Sequence, residues 1–113
     1  GHQPMIHLSR RESIIEQHTH AGLPIGIQLD SVYEAREIAC GRGDIIVLYS
    51  EGFIEARNES GDSYGLERLK KMLKSYHDTN PQDLSLLIQN NMKLFMGKAR
   101  QHDDQTILVG KFR

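Results

Sequence analysis

Two acidic spots stand beside apolar strand candidates. Glu51-Gly52 follows the run Ile45-Ile46-Val47-Leu48-Tyr49, and Asp103-Asp104 precedes the stretch Thr106 to Phe112, centred on Ile107-Leu108-Val109. If the two strands are antiparallel neighbours, the end of one meets the start of the other, and the carboxylates converge at one edge of the sheet. Oxygen-only donor clusters of this kind suit hard cations such as Mg²⁺ or Mn²⁺. Gly52 matters because a missing side chain lets a metal, water or phosphate approach the backbone. The competing reading makes Glu51 and Asp103 solvated residues at strand ends, and the pattern alone leaves both open.

Other chemistries find less support. Of the six histidines, His18 and His20 are separated by one residue and His2 and His7 by four. Neither pair matches a helical HExxH, and Cys40 stands alone, so surface histidines are expected rather than a zinc site. Ser50-Glu51-Gly52 is not a nucleophile elbow, and Cys40 is expected to be a small buried thiol. Gly22 to Gly26 is not followed by the Lys-Ser/Thr of a phosphate loop. Gly41-x-Gly43 precedes a strand, where a dinucleotide fingerprint should follow one. Arg68, Lys70, Lys71 and Lys74 fall on the polar side of a helix and read as a solvated face.

The elements that would position the carboxylates can be read in order. Met5 to Leu8 and Ile14 to His18 form a hairpin across a polar turn. Residues 21–30 hold Gly22, Pro24 and Gly26 and read as a loop, with Leu23, Ile25, Ile27 and Leu29 pinning it to a core. Tyr33 to Cys40 alternates weakly, as an edge strand would, and 41–44 is a turn by composition. The 45–49 run, continuous and apolar, reads as a strand buried on both faces. Residues 53–64 mix a short turn of helix with a polar loop. Leu66, Leu69, Met72, Leu73 and Tyr76 recur at helical spacing, which predicts an amphipathic helix over 65–77. Asn80 as N-cap and Pro81 at the first helical position open another helix, with Asp83 in its first turn and Gly97 as its stop. Strands, then two helices, then a strand make an α+β chain.

Composition bounds the function. The 113 residues fit one domain at most, with a small core. Lys plus Arg total 14 against 15 Asp plus Glu, so the net charge of −1 gives no polyanion-binding signature and nucleic acid is not expected as a partner. No run approaches the roughly 18 apolar residues of a membrane span, and no signal peptide is visible. The single cysteine forbids an internal disulfide and suits a reducing compartment, so a cytoplasmic location is the default expectation.

The ordered motifs carry a resemblance. They run Gly1-His2-x-Pro4, Gly22-Leu23-Pro24-Ile25-Gly26 and Gly43-Asp44 before an apolar strand. Then come Tyr49-Ser50-Glu51-Gly52-Phe53-Ile54-Glu55-Ala56-Arg57-Asn58, Gly61, Tyr64-Gly65-x-x-Arg68-Leu69 and Asp103-Asp104-x-Thr106. Over essentially the whole chain this resembles the C-terminal half of the metal-dependent serine/threonine phosphatases of the PPM superfamily, in the bacterial branch named after stage II sporulation protein E. The 49–58 block is its most specific part.

The resemblance implies a four-layer sandwich, two antiparallel sheets flanked by helices, of which residues 1–113 form the C-terminal portion of a single domain. It implies a binuclear Mn²⁺ or Mg²⁺ site between the sheets and metal-assisted hydrolysis of a phosphoserine or phosphothreonine protein. Glu51 and Asp103 would be metal ligands, with Gly52, Asp104 and Thr106 supporting them. The family usually has Tyr-Thr-Asp-Gly where this chain has Tyr49-Ser50-Glu51-Gly52, so Glu51 keeps the charge and extends the carboxylate by one methylene. The family's other ligands, an acidic residue and an Asp-Gly pair, belong to the N-terminal half, so the 113 residues alone are expected to be weak or inactive. Implied partners are a phosphorylated anti-anti-sigma-type protein in partner-switching control of transcription and an upstream sensor or receiver domain. Two rival readings stand beside this one. One is a pseudophosphatase that only holds a phosphoprotein or regulator, and the other is a structural domain that forms a homodimer.

Overall fold

A computed structural model describes residues 2–19 and 22–113. Gly1, His20 and Ala21 lie outside the described residues, and with them part of the opening Gly-His motif and of the His18/His20 pair. Strands β1 (Met5–Ser9) and β2 (Ile14–His18) are followed by β3 (Ile45–Tyr49) and the short helix α1 (Glu51–Ile54). Helices α2 (Gly65–Ser75) and α3 (Pro81–Met96) come next, and β4 (Ile107–Lys111) closes the order. The strands form one antiparallel sheet in the order β2-β1-β3-β4.

Strand periodicity decides which residues make the core. Successive side chains point to opposite faces, so Ile6, Leu8, Ile45, Val47 and Tyr49 are buried in one cluster with Leu69, Leu73, Leu84, Ile88 and Met92 of α2 and α3. Ile46 and Leu48 point the other way and are only half-buried, and Leu108 on the same face is exposed. The expectation that β3 is buried on both faces is therefore corrected. Helices cover one face of the sheet, and a fully apolar run does not by itself supply the second layer.

The helices begin and end where their local chemistry dictates. Asn80 Oδ1 accepts from the Asp83 amide at 2.9 Å while its Nδ2 donates to Asp83 Oδ2 at 2.7 Å, with Pro81 at the first helical position. Gly97 ends α3 with φ +59°, in the left-handed region that a Cβ disfavours. α2 stops at Ser75, two residues short of the predicted end, and Tyr76 is exposed. Lys111 Nζ, from β4, donates to the His77 and Thr79 carbonyls at 2.9 and 3.2 Å, filling acceptors just beyond the end of α2. Arg68 departs from the solvated-face reading. Its guanidinium donates to the Ser63 and Tyr64 carbonyls at 3.0 and 2.9 Å and lies 4.4 Å from the centre of the Phe95 ring.

The segment between β2 and β3 differs from expectation. Residues 32–41 contain no strand, because the weak alternation after Tyr33 finds no ladder to join. Leu23, Ile25, Ile27 and Leu29 do not pin the preceding loop to the core, and all four are exposed. Cys40 is half-buried rather than buried. His7 is not a surface histidine: it is 5% exposed, against the buried carboxylate of Asp44.

Candidate functional site

The two acidic spots are brought together by strand pairing. β3 and β4 run antiparallel with Tyr49 opposite Ile107, so the exit of β3 faces the entry of β4. Ser50 fastens the two ends. Its amide donates to the Thr106 carbonyl at 3.0 Å, its Oγ donates to the Asp104 carbonyl at 3.1 Å, and the same Oγ accepts from the Thr106 amide at 3.0 Å. A serine preceding a helix usually turns its hydroxyl onto the helix's own amides. Here Ser50 makes no such cap to α1, because its hydroxyl is committed across the sheet. Thr106 thus takes part through its backbone.

Gly52 is where the approach is closest. A Cβ there would stand 2.5 Å from the Asp104 carbonyl oxygen, 3.0 Å from Asp103 Cβ and 3.1 Å from Asp103 Cγ. The glycine is needed because the Asp103-Asp104 backbone lies against α1 with no space for a side chain between them. The Asp103 carboxylate is oriented by its own segment, since Oδ1 accepts from the Asp104 amide at 2.8 Å. Gln101 Nε2 donates to the Asp103 carbonyl at 2.9 Å and fixes the turn before it. Glu51, Asp103 and Asp104 are all exposed.

Asp103 and Gly52 line a cleft of about 300 Å³ together with Glu55, Arg57, Arg100 and His102. Glu51 is outside that lining, on the first turn of α1. Arg57 and Arg100 place positive charge beside the carboxylate, which suits an anionic group such as a phosphoryl. The sequence singled out Ser50 only as a rejected nucleophile and as part of the 49–58 motif, not as a strand-end tie, and it left Arg100 unmarked. Ser50 could have been found from its position between a buried strand and an acidic-Gly pair, whereas Arg100 sits in a polar stretch with nothing to single it out.

The donor set fits a hard divalent ion. Glu51 and Asp103 offer only oxygens, and the missing side chain at Gly52 lets the Asp103 side chain pack directly on α1. Among the described residues, no group of three or more histidine, cysteine or acidic side chains converges at this end of the sheet, so these residues alone make no complete coordination shell.

Asp44 holds the other end of the sheet. Burial pushes its carboxyl up, but hydrogen bonds from the Gly41 amide at 2.9 Å, His7 Nε2 at 2.8 Å and the Arg10 amide at 3.0 Å outweigh it, and the net effect lowers its pKa. Burial raises the phenol pKa of Tyr49 and of Tyr64, with Arg68 partly offsetting it at Tyr64.

The chain belongs to the stage II sporulation protein E (SpoIIE) family, whose model matches residues 1–113. It is 31% identical over 111 residues to the phosphoserine phosphatase RsbU of Bacillus subtilis, a match that covers 96% of this chain and 32% of that protein. Its fold is that of the SiaA-PP2C domain of Pseudomonas aeruginosa, with a TM-score of 0.83 and 21% identity over 100% of this chain and 44% of the other. The phosphatase domain of SpoIIE from Bacillus subtilis, in a crystal presoaked with Mn, matches with a TM-score of 0.63 and 17% identity over 99% of this chain and 47% of that one. The chain therefore spans about a third of its curated relative and under half of these solved domains. The α+β architecture expected from the resemblance is the one observed, with one antiparallel sheet and its helical layer contributed by these residues.

Proposed function

We propose that this chain is the C-terminal portion of a PPM-type protein serine/threonine phosphatase domain and that it contributes Glu51 and Asp103 to a Mn²⁺ or Mg²⁺ centre. The observation that carries this reading is the closure of the β3 exit on the β4 entry, with Gly52 packed directly on Asp103, in a chain that the SpoIIE family model spans end to end. Bound divalent metal would supply charge neutralisation and acidify water for hydrolysis of the phosphoester. The chain's own residues have separate tasks. Ser50 and Gly52 hold the two strand ends in register, the Asp104 amide orients the Asp103 carboxylate, and Arg57 and Arg100 draw an anionic substrate into the cleft.

The substrate class that follows is a phosphoserine or phosphothreonine protein. An anti-anti-sigma-type phosphoprotein in partner-switching control is the specific candidate, with a sensor or receiver domain upstream and a cytoplasmic setting. No helix among the described residues is long and apolar enough to cross a membrane. The test is phosphate release from a phosphoserine protein by the whole protein, with Mn²⁺ and with a chelator. Turnover that needs the metal supports the reading, and the 113 residues alone should be weak.

The second reading is a pseudophosphatase that binds a phosphoprotein without hydrolysing it. Glu51 favours it, since its carboxylate stands one methylene further out than the usual aspartate. Under that reading the whole protein would hold a phosphoprotein but release no phosphate at any Mn²⁺ concentration.

A further inference from the structure

A second cluster of ligand atoms lies on the β1–β2 pair and shares no residue with the carboxylate site. Met5 pairs with His18 and His7 with Glu16, so His7, Glu16 and His18 stand on one face of the hairpin. One ligand atom from each lies within 4.8 Å of the other two. His18 Nε2 is 3.4 Å from Glu16 Oε2, and the His7 and His18 ring centres are 5.9 Å apart.

Two observations point to a ligand rather than to a chance grouping. His7 is 5% exposed, and its Nδ1 is buried with no hydrogen-bond partner; His18 Nε2 is also buried and meets only Glu16 Oε2, at 3.4 Å and without hydrogen-bond geometry. Unpaired buried polar atoms are costly and call for an explanation. The second observation is the state of the other His7 nitrogen. Asp44 is a carboxylate held by two backbone amides, and as an acceptor it requires that His7 Nε2 carry the proton it receives at 2.8 Å. In the neutral imidazole Nδ1 then carries the free lone pair. A carboxylate that fixes the tautomer of a ligating histidine is the usual outer support of a metal-bound imidazole.

We propose that His7 Nδ1, His18 Nε2 and a Glu16 carboxylate oxygen form a binding site for a transition-metal ion of the Zn²⁺ class. Two imidazoles and one carboxylate select Zn²⁺ over Mg²⁺ or Mn²⁺, which prefer oxygen-only shells. Tetrahedral ligands about such an ion stand roughly 3.4 Å apart, so the site closes by a modest inward movement of the Glu16 and His18 side chains. The fourth position is left to water. The ion would cross-link β1 to β2 and, through Asp44, tie the hairpin to the start of β3.

The experiment is a Zn²⁺ titration of the chelator-stripped protein in excess Mg²⁺, read against a chromophoric competitor, with Co²⁺ as a spectroscopic substitute. The expected result is one equivalent of Zn²⁺ and a visible Co²⁺ band of tetrahedral intensity. His18→Ala should weaken Zn²⁺ binding by about 100-fold or more. If His18→Ala disturbs the fold by circular dichroism, Glu16→Gln decides, because Glu16 is exposed and the swap preserves shape. Absence of a bound equivalent in excess Mg²⁺, or equal binding by wild type and the correctly folded variant, overturns the proposal.

Discussion

Replacing Gly52 by alanine places one methyl group where the two strand ends meet. The new Cβ would stand 2.5 Å from the Asp104 carbonyl oxygen, about 1 Å inside ordinary van der Waals contact. The neighbour is backbone, and Ser50 ties that same carbonyl to the β3 exit, so the strain cannot be relieved by turning a side chain. Overpacking of this kind costs about 1–3 kcal/mol. Removing a glycine from a helix returns up to about 1 kcal/mol, so the net loss of stability is ~0–3 kcal/mol. The larger effect falls on position. The Asp103-Asp104 segment must retreat from α1 by most of an ångström, and a displacement of that size at a reacting centre costs about 100-fold in rate. The assay pairs urea denaturation with Mn²⁺-dependent phosphate release by the whole protein. Gly22→Ala is the control, because a Cβ there meets only Tyr33 Cδ1 at 4.0 Å. Wild-type turnover and metal dependence in Gly52→Ala would refute the claim that Gly52 and Asp103 share one site.

Further expectations follow from other contacts. Ser50→Ala removes a hydroxyl that bridges the Asp104 carbonyl and the Thr106 amide; it should cost about 1 kcal/mol in denaturant unfolding and lower turnover more than its stability loss explains. Asn80→Ala removes the cap on Asp83 and should destabilise by about 1 kcal/mol with no change in metal dependence. The Asp44 carboxyl titrates lower folded than unfolded. Its contribution is therefore complete above the unfolded carboxyl's range, near pH 4, and is lost as pH falls through the folded pKa. Acid-unfolding curves of Asp44→Asn should accordingly be flatter than wild type below about pH 4, and a parallel curve would contradict the assignment.

What could be read from the sequence was local. The α3 cap and stop sit in Asn80-Pro81 and Gly97, and the α2 stripe in Leu69 and Leu73, so neighbouring residues were enough to find them. The juxtaposition of Glu51-Gly52 with Asp103-Asp104 followed from one assumption, antiparallel pairing of β3 with β4, and that pairing is present. The misses needed distant partners. His7 meets Asp44 across 37 positions, and no spacing rule connects them. The apolar residues at 23, 25, 27 and 29 have core composition, yet composition does not say whether a surface exists to receive them, and here they are exposed. The same limit made β3 read as buried twice over. Five apolar residues in a row state what could be covered, and only the packing of α2 and α3 determines which face is.

The central claim is that Asp103, packed on Gly52, holds metal for phosphoester hydrolysis. It is tested most directly by Mn²⁺-dependent phosphate release from a phosphoserine protein, comparing the whole protein with its Asp103→Ala variant. Asp103 is exposed and its side chain accepts one hydrogen bond, from the Asp104 amide, so the variant should fold with a loss of about 1 kcal/mol of stability and lose nearly all turnover. Equal turnover in the two proteins, both folded, would contradict the account.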